Sequence, residues 1–326
     1  MDRRIAITSL ALTLFACGSA YGASTAPSAY PNRPLRFVIP FTPGGAADVL
    51  ARLTGAKVSE TLGQQVVIDG RPGAGGNIAA EVAARAAPDG YTLLQANLAH
   101  AIGASLYRKL GYDILRDFVP VTQLASTPFI LCLNPAVPAT SVKDLIALAR
   151  SQPGRFAYGS SGNGGPSHMA TELFQSLAGI EMRHVPYKGG VPASIDLIAG
   201  QIQVMLNTPP VILAHARAGR VKALAVTSAK RIPTMPELPT IGDAALPGYE
   251  ATTWFGVMLP TGTSPAIVSK LHAAFSAALK APDLRERMST ENLDLVGSSP
   301  AEFAAYVKAE IPKWAKVVKS SGARVD

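Results

Sequence analysis

Apolar and polar positions in this chain repeat one unit. A short apolar run leads into a loop of glycine, proline and small polar residues, and apolar positions at helical spacing follow. The unit occurs four times. Arg36-Phe37-Val38-Ile39-Pro40-Phe41 precedes Thr42-Pro43-Gly44-Gly45, and Gln65-Val66-Val67-Ile68 precedes Arg71-Pro72-Gly73-Ala74-Gly75-Gly76-Asn77. Arg155-Phe156-Ala157-Tyr158 precedes a loop over residues 159–167, and His184-Val185-Pro186-Tyr187 precedes Lys188-Gly189-Gly190. Strand-like and helix-like stretches alternate from about residue 35 to 230, which predicts an α/β fold with largely parallel sheets. A glycine loop that opens a helix leaves backbone N–H groups free at the positive end of the helix dipole, so each unit is an anion socket. Two sockets lie early and two past the middle, which places one anionic ligand between two lobes.

Helix starts elsewhere are marked by capping residues. Ser141-Val142-Lys143-Asp144 opens a helix in capping-box style, Ser264-Pro265 opens a second, and Ser299-Pro300-Ala301-Glu302 a third. In the last, Phe303, Val307, Ile311, Trp314 and Val318 share a face, Trp314 reads as core packing, and Pro312 is expected to kink the helix. Extended segments over residues 118–133 and 249–259 read as crossings between lobes. The expected division is therefore 30–128 plus 252–326 for lobe 1 and 129–251 for lobe 2, with the C-terminal helices returning to lobe 1.

Residues 1–22 read as a secretory signal peptide: Arg3 and Arg4, an apolar run from Ile5 to Ala16, and small residues Ala20 and Gly22 at the cleavage positions. Leu14-Phe15-Ala16-Cys17 also resembles a lipoprotein box that Phe15 fits badly, so a lipid anchor at Cys17 is the lesser reading. Cleavage leaves about 300 residues, enough for two domains, and one cysteine, Cys132, inside an apolar run where it reads as buried filler. The expected location is the periplasm. The net charge of +8 favours acidic small molecules. It does not point to nucleic acid, because Lys and Arg are scattered and aromatics make up only 6%.

Other chemistries fit poorly. Ile78 stands where a dinucleotide fingerprint starting at Gly73 needs glycine, and no P-loop occurs. Asn163 stands where a nucleophile elbow centred on Ser161 needs glycine, and Tyr158 where one centred on Ser160 needs it. The five histidines show no metal-ligand spacing. Ser160, Ser161 and Ser167 read as hydroxyl donors to a carboxylate, as caps of the following helix, or as both. His168 either donates to ligand or orients the serine loop. Asp48 either favours the dipole of the first helix or contacts a ligand amine or hydroxyl. Arg71 and Lys188 are the cations closest to the loops.

Seven motifs in order resemble the Bug-type, TctC-like solute-binding receptors of tripartite tricarboxylate transporters: Pro40-Phe41-Thr42-Pro43-Gly44-Gly45-Ala46-Ala47-Asp48, Arg71-Pro72-Gly73-Ala74-Gly75-Gly76-Asn77, Pro88-Asp89-Gly90-Tyr91, Gly159-Ser160-Ser161-Gly162, Val185-Pro186-Tyr187-Lys188-Gly189, Ala223-Leu224-Ala225-Val226-Thr227 and Trp254-Phe255-Gly256. The resemblance implies a two-lobe periplasmic binding fold, type II-like, that holds a small organic carboxylate in the interlobe cleft. By motif position it assigns Phe41, Gly44 and Ala46 to the first loop, Ala74, Gly75 and Asn77 to the second, Ser161 and Ser167 to the third, and Tyr187 and Lys188 to the fourth. It implies no cofactor, a monomer, and the large and small membrane subunits of a transporter as partners. Gln203 and Asn207 stand where the family commonly shows Asp. Asn207 is the one expected to face the cleft, and losing that charge disfavours amino-acid ligands and favours a neutral-tailed or aromatic mono- or dicarboxylate. The rival readings are a sensor feeding a membrane regulator and a hydrolase using the serine loop.

Overall fold

The structure is a computed structural model that describes residues 30–323 and Val325. The expected signal peptide, residues 1–22, and the lipidation box at Cys17 lie outside the described residues. The chain runs β1 (Leu35–Ile39), α1 (Ala46–Leu62), β2 (Val66–Gly70), α2 (Asn77–Ala84), β3 (Thr92–Asn97), α3 (Leu98–Leu106), β4 (Phe118–Pro128) and β5 (Ile130–Leu133). It continues α4 (Val142–Ser151), β6 (Ala157–Ser160), α5 (Pro166–Ala178), β7 (Arg183–Pro186), α6 (Gly190–Ile198), β8 (Val204–Asn207), α7 (Pro209–Arg217) and β9 (Lys222–Val226). It ends α8 (Ile241–Ala244), β10 (Thr252–Pro260), α9 (Pro265–Lys280), α10 (Pro282–Thr290), β11 (Asp294–Leu295) and α11 (Pro300–Ser321).

The strands form two sheets, ordered β11-β4-β10-β3-β1-β2 and β7-β6-β8-β5-β9. In each, the strand–loop–helix units supply parallel pairs, β1 with β2 and β3, and β6 with β7 and β8. These strands are covered on both faces. Hence Phe37, Val38 and Ile39 in β1, and Val204, Met205 and Leu206 in β8, are all buried rather than alternating. The long antiparallel strands β4 and β10 close the first sheet and carry the chain between lobes.

Only Phe129 separates β4 from β5. The return crossing leaves β9 at Val226 and reaches β10 at Thr252. The two crossings are tied by Thr227, which is fully buried. Its hydroxyl accepts from Phe129 N at 2.7 Å and donates to Ala251 O at 2.6 Å. Its backbone N–H donates to Phe129 O, and its carbonyl accepts from Ala251 N, each at 2.9 Å. One threonine thus holds both strands of the hinge.

The C-terminal helices all pack on the first lobe, and one of them also reaches the second. α9 and α10 pack on α1, whereas α11 lies against α3 and β4 and also against α5 of the second lobe. Its buried Phe303, Val307 and Trp314 belong to one core that includes Ile102 of the first lobe and Met169 and Phe174 of the second. Trp314 Nε1 donates to Glu310 Oε2 at 3.0 Å, so the indole is both buried and satisfied. The helix is not broken at Pro312. The carbonyl that Pro312 leaves without its helical donor is that of exposed Lys308, where water can serve it.

Thr227→Val keeps the shape of the hinge but leaves Phe129 N–H and Ala251 C=O buried and short of a partner. We expect a loss of about 2 kcal/mol in unfolding free energy, measured by urea denaturation, with Thr227→Ser close to wild type. A Thr227→Val chain as stable as wild type would remove the hydroxyl from the hinge.

Candidate ligand-binding site

The loops following β1, β6 and β7 and the end of β8 meet at the carboxyl ends of parallel strands, where open α/β sheets place ligands. A slot between the lobes is lined from the first lobe by Phe41, Thr42, Gly45, Ala46 and Ala47 and by Thr253 and Phe255 of β10. The second lobe supplies Ser161, Pro166, Ser167, Gly190, Asn207, Thr208 and Val211, and Phe129 sits at the hinge. The space open to the centres of water-sized molecules is about 40 Å³. It is a narrow slot. Outside it lies a wider hollow of about 600 Å³, lined by Thr42, Gly73, Ala74, Gly75, Gly162, Asn163, Pro186, Tyr187, Lys188 and Pro192. Thr42 borders both.

Four helices begin at the slot: α1 after Gly45, α5 after Gly165, α6 after Gly189 and α7 after Thr208. None of the four has a side-chain cap. Of the helices that start elsewhere, α3, α4, α8, α9 and α11 are capped by Asn97, Ser141, Thr240, Ser264 and Ser299, while α2 and α10 have no side-chain cap. The first N–H groups of a helix have no intrahelical acceptor and need one from outside. At α7 no such donor remains, because Pro209 and Pro210 carry no N–H and Val211 N and Ile212 N donate to Thr208 O. The starts of α1, α5 and α6 converge on one slot, each at the positive end of a dipole worth roughly half a charge. Among the described residues, no charged side chain lines it. The slot can therefore hold an anion by backbone donors and hydroxyls alone.

The third loop is braced from beneath. Ser167 Oγ accepts from Ser161 N at 2.9 Å and donates to Ser161 Oγ at 3.1 Å, which sets both hydroxyls at the start of α5. His168 Nδ1 accepts from Gly164 N at 3.1 Å. Its ring stacks on His184 with centroids 4.0 Å apart, and His184 in turn stacks on Tyr158. Ser160 Oγ pairs with His184 Nε2 at 2.6 Å. Burial and the neighbouring His184 push the His168 imidazole down to about 3, and burial pushes His184 down to about 4. Glu172 lies beyond, 3.9 Å from His168 Nε2, bonded to Tyr158 OH, its own carboxyl raised by burial.

The sequence-predicted residues fall into three groups. Phe41, Ala46, Ser161, Ser167 and Asn207 line the slot. Ala74, Gly75, Tyr187 and Lys188 line the outer hollow. Gly44, Asp48, Asn77, Ser160 and His168 line neither and act as braces. Asp48 accepts from Gly44 N at 3.0 Å and pairs with Arg52 at 2.9 Å, so its carboxylate shapes the first loop. Asn77 Nδ2 donates to Ala74 O at 2.9 Å, and its Oδ1 takes Tyr112 OH. Ser160 belongs to β6 and is fully buried, because the strand runs two residues further than the apolar pattern indicates. Arg71 turns to Asp69 at 3.0 Å. Asn207 Nδ2 donates to Gly190 O at 3.0 Å and Oδ1 accepts from Thr208 N at 2.9 Å, which ties the starts of α6 and α7 together. Gln203 lies at the opposite end of β8, donating to Gly200 O. Sequence reasoning missed Thr253, Phe129 and Val211. The alternation Thr253-Trp254-Phe255 was the available signal, since it sends 253 and 255 to one face.

Two α/β lobes, two crossings and a cleft rimmed by helix starts define the two-lobe solute-binding class. The chain belongs to the tripartite tricarboxylate transporter family receptor, TctC, whose family model matches residues 50–323. It is 35% identical to Protein BugT of Bordetella pertussis over 327 residues, covering 100% of this chain and 99% of that one. It is similar to Rpa4515 of R. palustris, solved with adipate, at 40% identity and a TM-score of 0.88, covering 91% of this chain and all of that one. MatC of Rhodopseudomonas palustris, solved with bound malate, matches at 34% identity and a TM-score of 0.85 over 89% of this chain and all of that one. The type of receptor expected from the motifs, and its fold, are those found.

The buried histidines give a pH dependence. His100 is also pushed down to about 4 by burial; its ring accepts from Asn97 N and bonds Gly76 O under the second loop. A depressed folded value means the unfolded chain binds more protons, so the stability is complete above about pH 6.5 and is lost as pH falls toward 4 and 3. Each site contributes at most about 1.4 kcal/mol per pH unit in that window. Urea midpoints between pH 7.5 and 5, above the carboxylate range, should fall with acidification. A flat profile there would contradict this.

Proposed function

We propose that the chain is exported to the periplasm and captures a small organic carboxylate by closure of its two lobes, for delivery to the membrane subunits of a tripartite tricarboxylate-type transporter. The observation that carries this reading is the convergence of three uncapped helix starts with unmet N–H groups, those of α1, α5 and α6, on a slot without charged walls. A carboxylate offers acceptors to several of those N–H groups at once, and charge-assisted hydrogen bonds are about twice as strong as neutral ones. The acids in the adipate-bound and malate-bound relatives fit the same logic. No helix among the described residues is long and apolar enough to cross a membrane, which suits a receptor working beside separate membrane subunits. Ser161, Ser167, Phe41 and Ala46 would touch the ligand, with Ala74, Gly75, Tyr187 and Lys188 at the entrance. The division at residues 128/129 and 251/252 places both moving boundaries on the Thr227 ties. Asn207 spends its amide on backbone and adds no charge, so the preferred ligand lacks a cationic amine; plain and aromatic mono- and dicarboxylates are the candidate class.

Thermal unfolding of chain refolded to strip ligand, against mono-, di- and tricarboxylates and amino acids, tests the reading. A ligand at a hundred times its dissociation constant adds about 2.7 kcal/mol, a shift of several degrees. A selective shift with one acid class is the expected result; no shift with any acid would reject carboxylate capture. Asn207→Asp should raise the affinity ratio of aspartate over succinate at least tenfold, read by calorimetry. Wild-type chain that already selects aspartate would overturn the reading of Asn207.

A further inference from the structure

The uncapped helix starts account for one kind of donor in the slot, but not for β10. Thr253 and Phe255 turn to the slot, while Trp254 packs on the other face, edge-on to Phe303 and Tyr306 under α11. Thr253 is only 2% exposed, yet its hydroxyl has no hydrogen-bond partner. Its cross-strand neighbour does not supply one: Thr127 turns its hydroxyl proton to Asn292 O at 2.7 Å and makes no bond with Thr253. Buried hydroxyls in native proteins are overwhelmingly paired, so an unmet one that lines a ligand slot calls for a partner in the ligand. Thr253 also has a defined place. It follows Ala251, which is tied to Thr227, and shares its wall with Phe129, so it stands at the hinge end. Thr42, whose hydroxyl is likewise unmet, borders both the slot and the outer hollow and so marks the mouth end. Phe41, Phe129, Phe255 and Val211 make much of the remaining lining apolar.

We propose that Thr253 determines specificity by hydrogen-bonding a second oxygen function at the far end of the ligand, so that the slot takes a diacid or hydroxy acid in preference to a monoacid of equal length. The inference rests on the carboxylate reading above and sharpens it. The helix starts recognise one carboxylate in any acid. The hydroxyl of Thr253 recognises what lies at the other end, and an apolar chain end placed there leaves the hydroxyl unpaired, which is how a polar pocket rejects an analogue that lacks the matching group.

The test is calorimetric titration of the refolded full chain, wild type, Thr253→Val and Thr253→Ser. The ligands are succinate, glutarate and adipate against butyrate, pentanoate and hexanoate, with terephthalate against benzoate. Wild type should bind the best diacid more tightly than its matched monoacid. Thr253→Val should weaken that diacid about tenfold or more, the scale of one hydrogen bond to a charged group, and leave the monoacid within about twofold; Thr253→Ser should stay close to wild type. Without ligand, Thr253→Val should melt at or above the wild-type temperature, because replacing an unmet hydroxyl strands no partner. An unchanged diacid-to-monoacid ratio in Thr253→Val overturns the role of Thr253 and leaves carboxylate capture standing. A clearly lower melting temperature for the unliganded valine variant shows an internal partner and also overturns it. Wild type that binds neither series overturns the carboxylate reading and this inference together.

Discussion

Free N–H groups at helix starts are tolerable only where something meets them, and the cleft is arranged around three such starts, those of α1, α5 and α6. Everything else at the site follows from keeping them free and close. Glycine precedes α1, α5 and α6, so no side chain folds back to cap the helix or crowd the slot. Asn207 holds the start of α6 at a fixed spacing from that of α7 through Gly190 and Thr208. A Cβ on Gly190 would come within 2.4 Å of Asn207 Oδ1, so glycine there is a condition of that tie. The serines, His168 and Asp48 then fix the loops without adding a charge to the slot wall. The same restraint explains why so many loop residues prove to be braces: a backbone socket needs its geometry held from behind.

Closure of the cleft is set by equally local contacts. The second and third loops meet backbone to backbone, and a Cβ on Gly75, at φ +65, would lie 2.2 Å from Asn163 O. Tyr107 OH reaches both Ala74 O at 3.1 Å and Asn163 O at 2.8 Å, one carbonyl from each lobe. A single hydroxyl proton serves only one of them fully, so this contact is a weak latch, to which a ligand's own interlobe contacts would add. Behind it, the hinge is tied by Thr227 and the back of both lobes is covered by α11. A helix whose apolar face is shared by both lobes resists wide separation and leaves rotation about the two crossings as the softer motion.

Much of this was readable beforehand, for identifiable reasons. Parallel strands buried on both faces read as continuous apolar runs, and glycine loops mark the turns after them, so the α/β class and the cleft follow from pattern alone. Caps at Ser141, Ser264 and Ser299 were legible because one side chain satisfies a local donor. The misses are long-range. That α11 reaches α5 depends on which partner its apolar face meets, and periodicity says only that such a face exists. Ser160 looked like a loop residue until strand pairing with His184 and Pro186 extended β6 through it. Alternation could have placed Thr253 on the slot face, but a threonine in a strand is ordinary, and its burial without a partner shows only in the structure.

Charge outside the slot and its absence inside divide the labour of recognition. A net charge of +8, with Lys188 at the hollow, raises the local concentration of anions and speeds encounter, an effect that salt weakens. Inside, an ion pair would grip almost any acid, and its desolvation would consume much of what the attraction supplied. Oriented N–H groups are already in place and already partly dehydrated, so they stabilise a carboxylate without reorganising. They also act only over short range, which makes binding depend on fit along the whole slot. A receptor that must release its cargo gains from this arrangement: when the lobes rotate apart, donors from α1 leave those of α5 and α6, and the socket loses its convergence in one step.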